Sequence, residues 1–163
     1  SPCSGEAVVT IFVDADSCPP QIRQIVVRAA KREGVRAVFV ANRNIPLSAS
    51  DAVSMVLVSP KEGSADDYIV SVIGREDIVI TRDIPLAARC IEREALVLND
   101  RGMVYTENNI RERLSVRNIM KDFREAGLLS DGERTFGQKE IKAFADAFDR
   151  ELRKRIRQIQ PLR

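Results

Sequence analysis

The sequence predicts an α/β fold, a mostly parallel sheet with helices on its faces and a helical C-terminal third. Three observations carry this. Apolar, β-branched runs alternate with stretches of helical period in the order β-α-β-β-α-β-α-β between residues 11 and 104. The runs are short and read as buried strands bounded by turn residues. Beyond residue 106 the apolar residues recur in steps of three and four. A chain of 163 residues and 18.2 kDa fits one domain with a full core. That domain spans 8–159, with a sheet-forming part over 8–106 and a helical part over 107–159.

The first strand lies in VVTIFVDADSCPP, residues 8–20, and ends abruptly at Asp14-Ala15-Asp16. Pro19 and Pro20 suit the first turn of a helix, where their missing N–H groups cost little. That helix carries Ile22, Ile25, Val26, Ala29 and Ala30, and Gly34 marks its end. Residues 35–41 form a second strand, 42–50 a polar loop, and 52–58 a third strand. A turn over 60–63 precedes a short helix that starts at Ser64 and ends near Gly74. Residues 77–81 are the fourth strand, 85–93 a helix and 95–98 the fifth strand. The loop 99–106 holds a small hairpin about Arg101-Gly102. Helices follow over 107–126 and 138–159, separated by a glycine-bearing loop, 127–137. This helical third either covers the sheet or mediates self-association as a homodimer.

Composition narrows the chemistry. Net charge is +2, too mild to indicate nucleic acid by itself. No stretch approaches a membrane span, and residues 1–7 lack the parts of a signal peptide, so a cytoplasmic location with no membrane partner is expected. Three cysteines (Cys3, Cys18 and Cys90) form no CxxC pair, which argues against a disulfide framework or a zinc ribbon. There is no histidine. That excludes Ser-His-Asp and Cys-His nucleophiles and His-bearing zinc sites.

Aspartates gather where strands hand over to helices. Asp14 and Asp16 follow the first strand, Asp66 and Asp67 open the helix after the third, and Asp83 lies just beyond the fourth. In a parallel sheet these points share one rim, where ligands bind. Clustered carboxylates repel, and a hard divalent cation neutralises them. Such ions activate water and stabilise the leaving oxygen of a phosphodiester without histidine. Helix capping competes with this reading. Asp16 and Asp83 are divided evenly between cap and ligand, whereas Ser64 with Asp67 resembles a capping box. Asp14 abuts the buried strand, has no capping role, and is the strongest ligand candidate. Cys18 and Cys90 read as structural. Arg43, Arg82 and Arg101 sit in loops near the rim, able to meet a phosphate backbone. Arg111, Arg113, Arg117 and Lys121 line one helix, and the last helix is rich in arginine; a solvated face accounts for most of these. With aromatic residues at 5% and no Trp, no base-stacking platform is evident.

Several segments together, VDADSCP (13–19), VAN (40–42), ADDYIV (65–70), DIVITRDIPLAARCIE (77–92), RGMVYT (101–106) and IRERL (110–114), resemble the YaiI/YqxD family of uncharacterised bacterial proteins. The likeness runs in order from about Val9 to Asp149. The chain departs from many relatives at Asn99-Asp100-Arg101-Gly102, where they show Asn-Pro-Arg-Gly, and at Ser130-Asp131-Gly132-Glu133, usually a glycine-rich turn. The family is grouped with PIN-like domains, whose better-known members are metal-dependent ribonucleases. The resemblance therefore implies a three-layer α/β/α fold and a Mg²⁺ or Mn²⁺ site. Asp14 and Asp16 match the acid and short polar residue after the first strand, Thr81 and Asp83 match a Thr-x-Asp, and Asp66 matches an acid on an intervening helix.

The leading expectation is a Mg²⁺- or Mn²⁺-dependent nuclease acting on RNA. Asp14, Asp16, Asp66 and Asp83 would be both catalytic and metal-holding. Asn42, Arg43, Thr81, Arg82 and Arg101 would bind substrate. A strand ending in Asp-x-Asp also opens aspartyl-nucleophile phosphohydrolases, although no Gly-Asp-x-x-x-Asp follows a later strand. A non-catalytic module that binds nucleic acid or protein is the third alternative.

Overall fold

The computed structural model describes residues 8–48, 50–128 and 136–159. Residues 1–7 with Cys3, and the segment Ser130-Asp131-Gly132-Glu133, lie outside the described residues. The elements run β1 (Thr10–Asp14), α1 (Pro20–Glu33), β2 (Arg36–Ala41), β3 (Val53–Leu57), α2 (Ser64–Val72), β4 (Ile78–Ile80), α3 (Ile84–Glu92), β5 (Leu96–Leu98), β6 (Val104–Tyr105), α4 (Glu107–Glu125) and α5 (Gln138–Ile159). Each expected strand and helix is present within one or two residues of its expected ends. A 3₁₀ turn over Ala15–Ser17, between β1 and α1, was not expected.

The six strands form one sheet in the order β3-β2-β1-β4-β5-β6. Pairings from β3 to β5 are parallel, and β6 closes the edge antiparallel to β5. The β5–β6 hairpin turns at Gly102, whose φ of +86° suits a residue without a Cβ.

Strand side chains alternate between two cores, which is why the runs are apolar throughout. Ile11, Val13, Phe39, Ile78, Ile80 and Leu98 face one layer, where Ile22 and Val26 of α1 meet Phe144, Phe148 and Leu152 of α5. Phe12, Val38, Val40, Val79 and Val97 face the other, with Ile69 of α2, Leu86 and Cys90 of α3 and Ile110 of α4. The molecule is a three-layer α/β/α sandwich. Phe144 and Phe148 stack with ring centroids 5.3 Å apart.

The helical third divides in two. Helix α5 covers the sheet beside α1. Helix α4 packs on α3 through its first turns, and its later Val116, Ile119, Met120 and Phe123 are exposed. No helix among the described residues is long and apolar enough to cross a membrane.

The strand order creates a switch point. From β1 the chain winds outward through β2 and β3, then α2 returns it to β4 on the other side of β1. Loops leaving the carboxyl ends of β1 and β4 diverge there and open a crevice, where ligands of open α/β sheets bind.

Candidate functional site

A cavity of ≈ 380 Å³ occupies that crevice. Its lining includes Asp14, Asp16, Asn42, Asp66, Arg82 and Asp83. Strand register accounts for part of the convergence. Val13 pairs with Ile80, so the residues that follow, Asp14 and Thr81, emerge side by side. Helix α2 crosses from β3 to β4 and brings Asp66 in from the adjoining layer.

Asp14 is buried. Its Oδ2 accepts a hydrogen bond of 2.9 Å from the Thr81 hydroxyl. Burial pushes the Asp14 carboxyl above the usual carboxylate range, and Asp83 and Asp16 push the same way, while the hydroxyls of Thr81 and Ser17 oppose them. The Thr81 hydroxyl in turn accepts the backbone N–H of Asp83 at 3.0 Å, so one side chain fixes two acids.

Asp16 does not cap α1, whose N-cap is Pro19. The intervening 3₁₀ turn carries Asp16 towards the end of β2, where its Oδ2 accepts the Asn42 backbone N–H at 2.9 Å. Its Oδ1 is shielded from solvent and accepts no hydrogen bond; Arg43 Nε stands 3.6 Å away as an ion-pair partner. Asp83 does cap α3, its Oδ1 accepting the Leu86 N–H at 3.0 Å, and it lines the cavity as well. Cap and site residue are therefore compatible roles at this position.

The Asp66 side chain makes no hydrogen bond or ion pair among the described residues. Burial first, then Asp83 and Asp14, raise its carboxyl to about 6, against a smaller opposing pull from Arg89. Asp67 is not part of a capping box. Gly63 is the N-cap of α2, one residue earlier than the box requires, and Asp67 pairs with Arg89 at 3.1 Å instead.

The basic residues separate. Arg43 reaches the cavity through Asp16. Arg82 lines it, and its guanidinium also binds the buried Asp100, with Nε 2.9 Å from Oδ2 and a second contact through Nη2. Arg101 is not brought to the carboxylates: it lies over the Phe136 ring, 5.4 Å from its centroid, and pairs with Glu140 at 3.5 Å. Lys61 and Glu62 also line the cavity and were missed from sequence. Their only signal is membership of the turn before the helix that carries Asp66. Asp100 was missed too, because its Arg82 partner is 18 residues away.

Cys18 is buried, and burial pushes its thiol up to about 12 despite the opposing charge of Arg23. Cys90 is likewise buried and pushed up to about 12. Both are packing residues. Among the described residues no group of three or more His, Cys, Asp or Glu side chains stands ready to hold a metal ion.

Residues 12–154 match the family described as "Uncharacterized BCR, YaiI/YqxD family". A UPF0178 protein of Treponema pallidum is 49% identical over 149 residues, 91% of this chain and 84% of its own length. One from Syntrophobacter fumaroxidans is 48% identical, covering 90% of this chain and 96% of its own. Another, from Psychromonas ingrahamii, is 44% identical over 90% and 97%. No solved structure matches the chain. With a match over most of its length and relatives of this similarity, the chain belongs to the YaiI/YqxD family of uncharacterised bacterial proteins.

Proposed function

We propose that this protein is a metal-dependent hydrolase of phosphodiester bonds with RNA as substrate, the activity implied by the likeness to PIN-like domains. The observation that carries the reading is the convergence of Asp14, Asp16, Asp66 and Asp83 on one cavity at the switch point of the sheet. Four carboxylates from three segments are an unfavourable gathering unless a cation offsets them. Burial first, and the neighbouring carboxylates after it, raise the carboxyls of Asp14 and Asp66. The shielded Oδ1 of Asp16 accepts no hydrogen bond and meets positive charge only at 3.6 Å, from Arg43 Nε, which leaves a lone pair for a cation.

These donors fit Mg²⁺ or Mn²⁺, which take oxygen ligands. Mg²⁺ commonly uses one or two carboxylates, with water and substrate phosphate completing its shell. Such an ion lowers the pKa of bound water and offsets charge on the phosphodiester. Asp14 and Asp16 would hold it, and Asp66 and Asp83 would orient its water. Thr81 keeps Asp14 and the Asp83 backbone in register. Asn42 and Arg43 fix Asp16, while Arg82 offers positive charge to a phosphate at the cavity edge.

The test is cleavage of end-labelled RNA by purified protein in Mn²⁺. The wild type is expected to cleave, EDTA to abolish cleavage, and Asp14→Asn to lose about 100-fold or more. Equal rates for wild type and Asp14→Asn sink the reading.

A further inference from the structure

A second cavity, of ≈ 500 Å³, adjoins the carboxylate pocket and shares Arg82 with it. Its lining holds five arginines, Arg82, Arg101, Arg113, Arg117 and Arg124, against a single acid, Asp100. That acid is buried and already neutralised by Arg82, and Glu140 offsets Arg101 from outside the lining. Arg113 and Arg117 make no ion pair among the described residues, so the cavity carries net positive charge beside a negative one.

The arginines of α4 are ordered. Arg113, Arg117 and Arg124 follow one another by four and seven residues, which puts them on one helix face. Val116 and Met120 share that face and are 46% and 40% exposed. A face that is only solvated carries polar residues between its charges. Here exposed apolar groups alternate with guanidinium groups along the wall of a cavity. Phe136, under the Arg101 guanidinium, adds a further apolar surface.

We propose that this cavity binds the single-stranded RNA substrate, its arginines taking phosphates and Val116, Met120 and Phe136 contacting bases. The inference rests on the RNA reading of the carboxylate pocket and extends it. The carboxylates repel an anionic strand, and a basic groove next to them supplies the binding energy they cannot. Arg82, common to both cavities, marks where the strand passes from one to the other. Arginine suits phosphate because its planar fork donates two parallel hydrogen bonds. Sequence reading explains most of the basic residues of the two last helices by a solvated face; Arg113 and Arg117 share a cavity lining with Arg82 and Arg101.

The experiment measures binding of a fluorescein-labelled oligouridylate of about ten nucleotides by anisotropy, in EDTA, so that no metal chemistry contributes. Wild type is compared with R113S/R117S and with R111S/R150S, which removes the same charge from outside the cavity. All three are checked for equal melting temperature. We expect R113S/R117S to weaken binding roughly tenfold at 0.1 M salt and to flatten the dependence of log K on log salt by about 0.7 for each arginine removed. R111S/R150S should bind like the wild type. No binding by the wild type, or equal weakening in both variants, overturns the groove. Cleavage in Mn²⁺ is followed in parallel. Selective weakening in R113S/R117S with no cleavage by the wild type keeps the groove and removes the hydrolase. Cleavage that requires Asp14, with R113S/R117S binding normally, does the reverse.

Discussion

The Thr81 hydroxyl donates to Asp14 Oδ2 at 2.9 Å across the parallel junction of β1 and β4, joining residues 67 apart in the chain. The carboxylate it serves is buried and already raised above its usual range. Thr81→Val keeps the shape and removes the donor. It should cost about 1–3 kcal/mol, the range for leaving a buried polar group unsatisfied, and raise the Asp14 carboxyl further. Thr81→Ser should restore most of the loss. Urea denaturation of the three proteins checks this, and an unchanged midpoint for Thr81→Val counts against it.

Asp66 should make stability fall with rising pH. Its folded carboxyl, at about 6, lies above the ordinary 3.8 of the unfolded chain. Between those values the folded state binds more protons, so the contribution is full below 3.8 and lost as pH rises through about 6. Asp14, raised in the same direction, adds to the slope. Because Asp66 is partly exposed, the effect is about 1–2 kcal/mol after solvent screening. Melts in EDTA at pH 4.5, 5.5 and 7 should show Asp66→Asn gaining on the wild type as pH rises. Parallel curves for the two proteins would show that Asp66 is not strained.

Gly102 couples the β5–β6 hairpin to α5. A Cβ there would lie 2.6 Å from the Ala143 carbonyl oxygen, and φ is +86°. Gly34 has a similar φ of +68° but open space around it. Gly34→Ala should therefore cost about 1–2 kcal/mol from conformation alone. Gly102→Ala should cost about 1–3 kcal/mol more from overpacking. Chemical denaturation of both variants tests the difference.

The buried thiols should be inert in the native state. With Cys18 and Cys90 both pushed up to about 12, thiolate is scarce at pH 8. Iodoacetamide labelling, mapped by peptide mass, should be more than about 100-fold slower at these two residues in native than in urea-unfolded protein. Rapid native labelling of Cys18 would return it to consideration as a reactive group.

Much of the architecture was readable because strand and helix signals are local. The β-branched runs and their Pro and Gly boundaries lie within a few residues of one another, and Gly34 takes the left-handed conformation its position implies. The need of Asp14 for a partner was readable for the same reason: an acid at the end of a buried strand needs one wherever that strand goes, and the Thr81 hydroxyl supplies it. Roles that depend on distant partners were not readable. Asp16 was divided between cap and ligand and Asp67 looked like a cap, yet one bonds the N–H of Asn42 and the other pairs with Arg89. Arg101 looked like a rim residue and turned towards Phe136.

The sequence by itself determined the order of elements, the parallel sheet and the rim to which the aspartates belong, because burial patterns and turn chemistry act over short distances. The tertiary structure alone decided which of those aspartates share a cavity. Strand register, the crossing of α2 and the 3₁₀ turn after β1 are set by packing between segments far apart in the chain. The same packing turns Arg113, Arg117 and Arg124 towards a groove beside the acids, because the direction a helix face takes is fixed by the segments that pack around it.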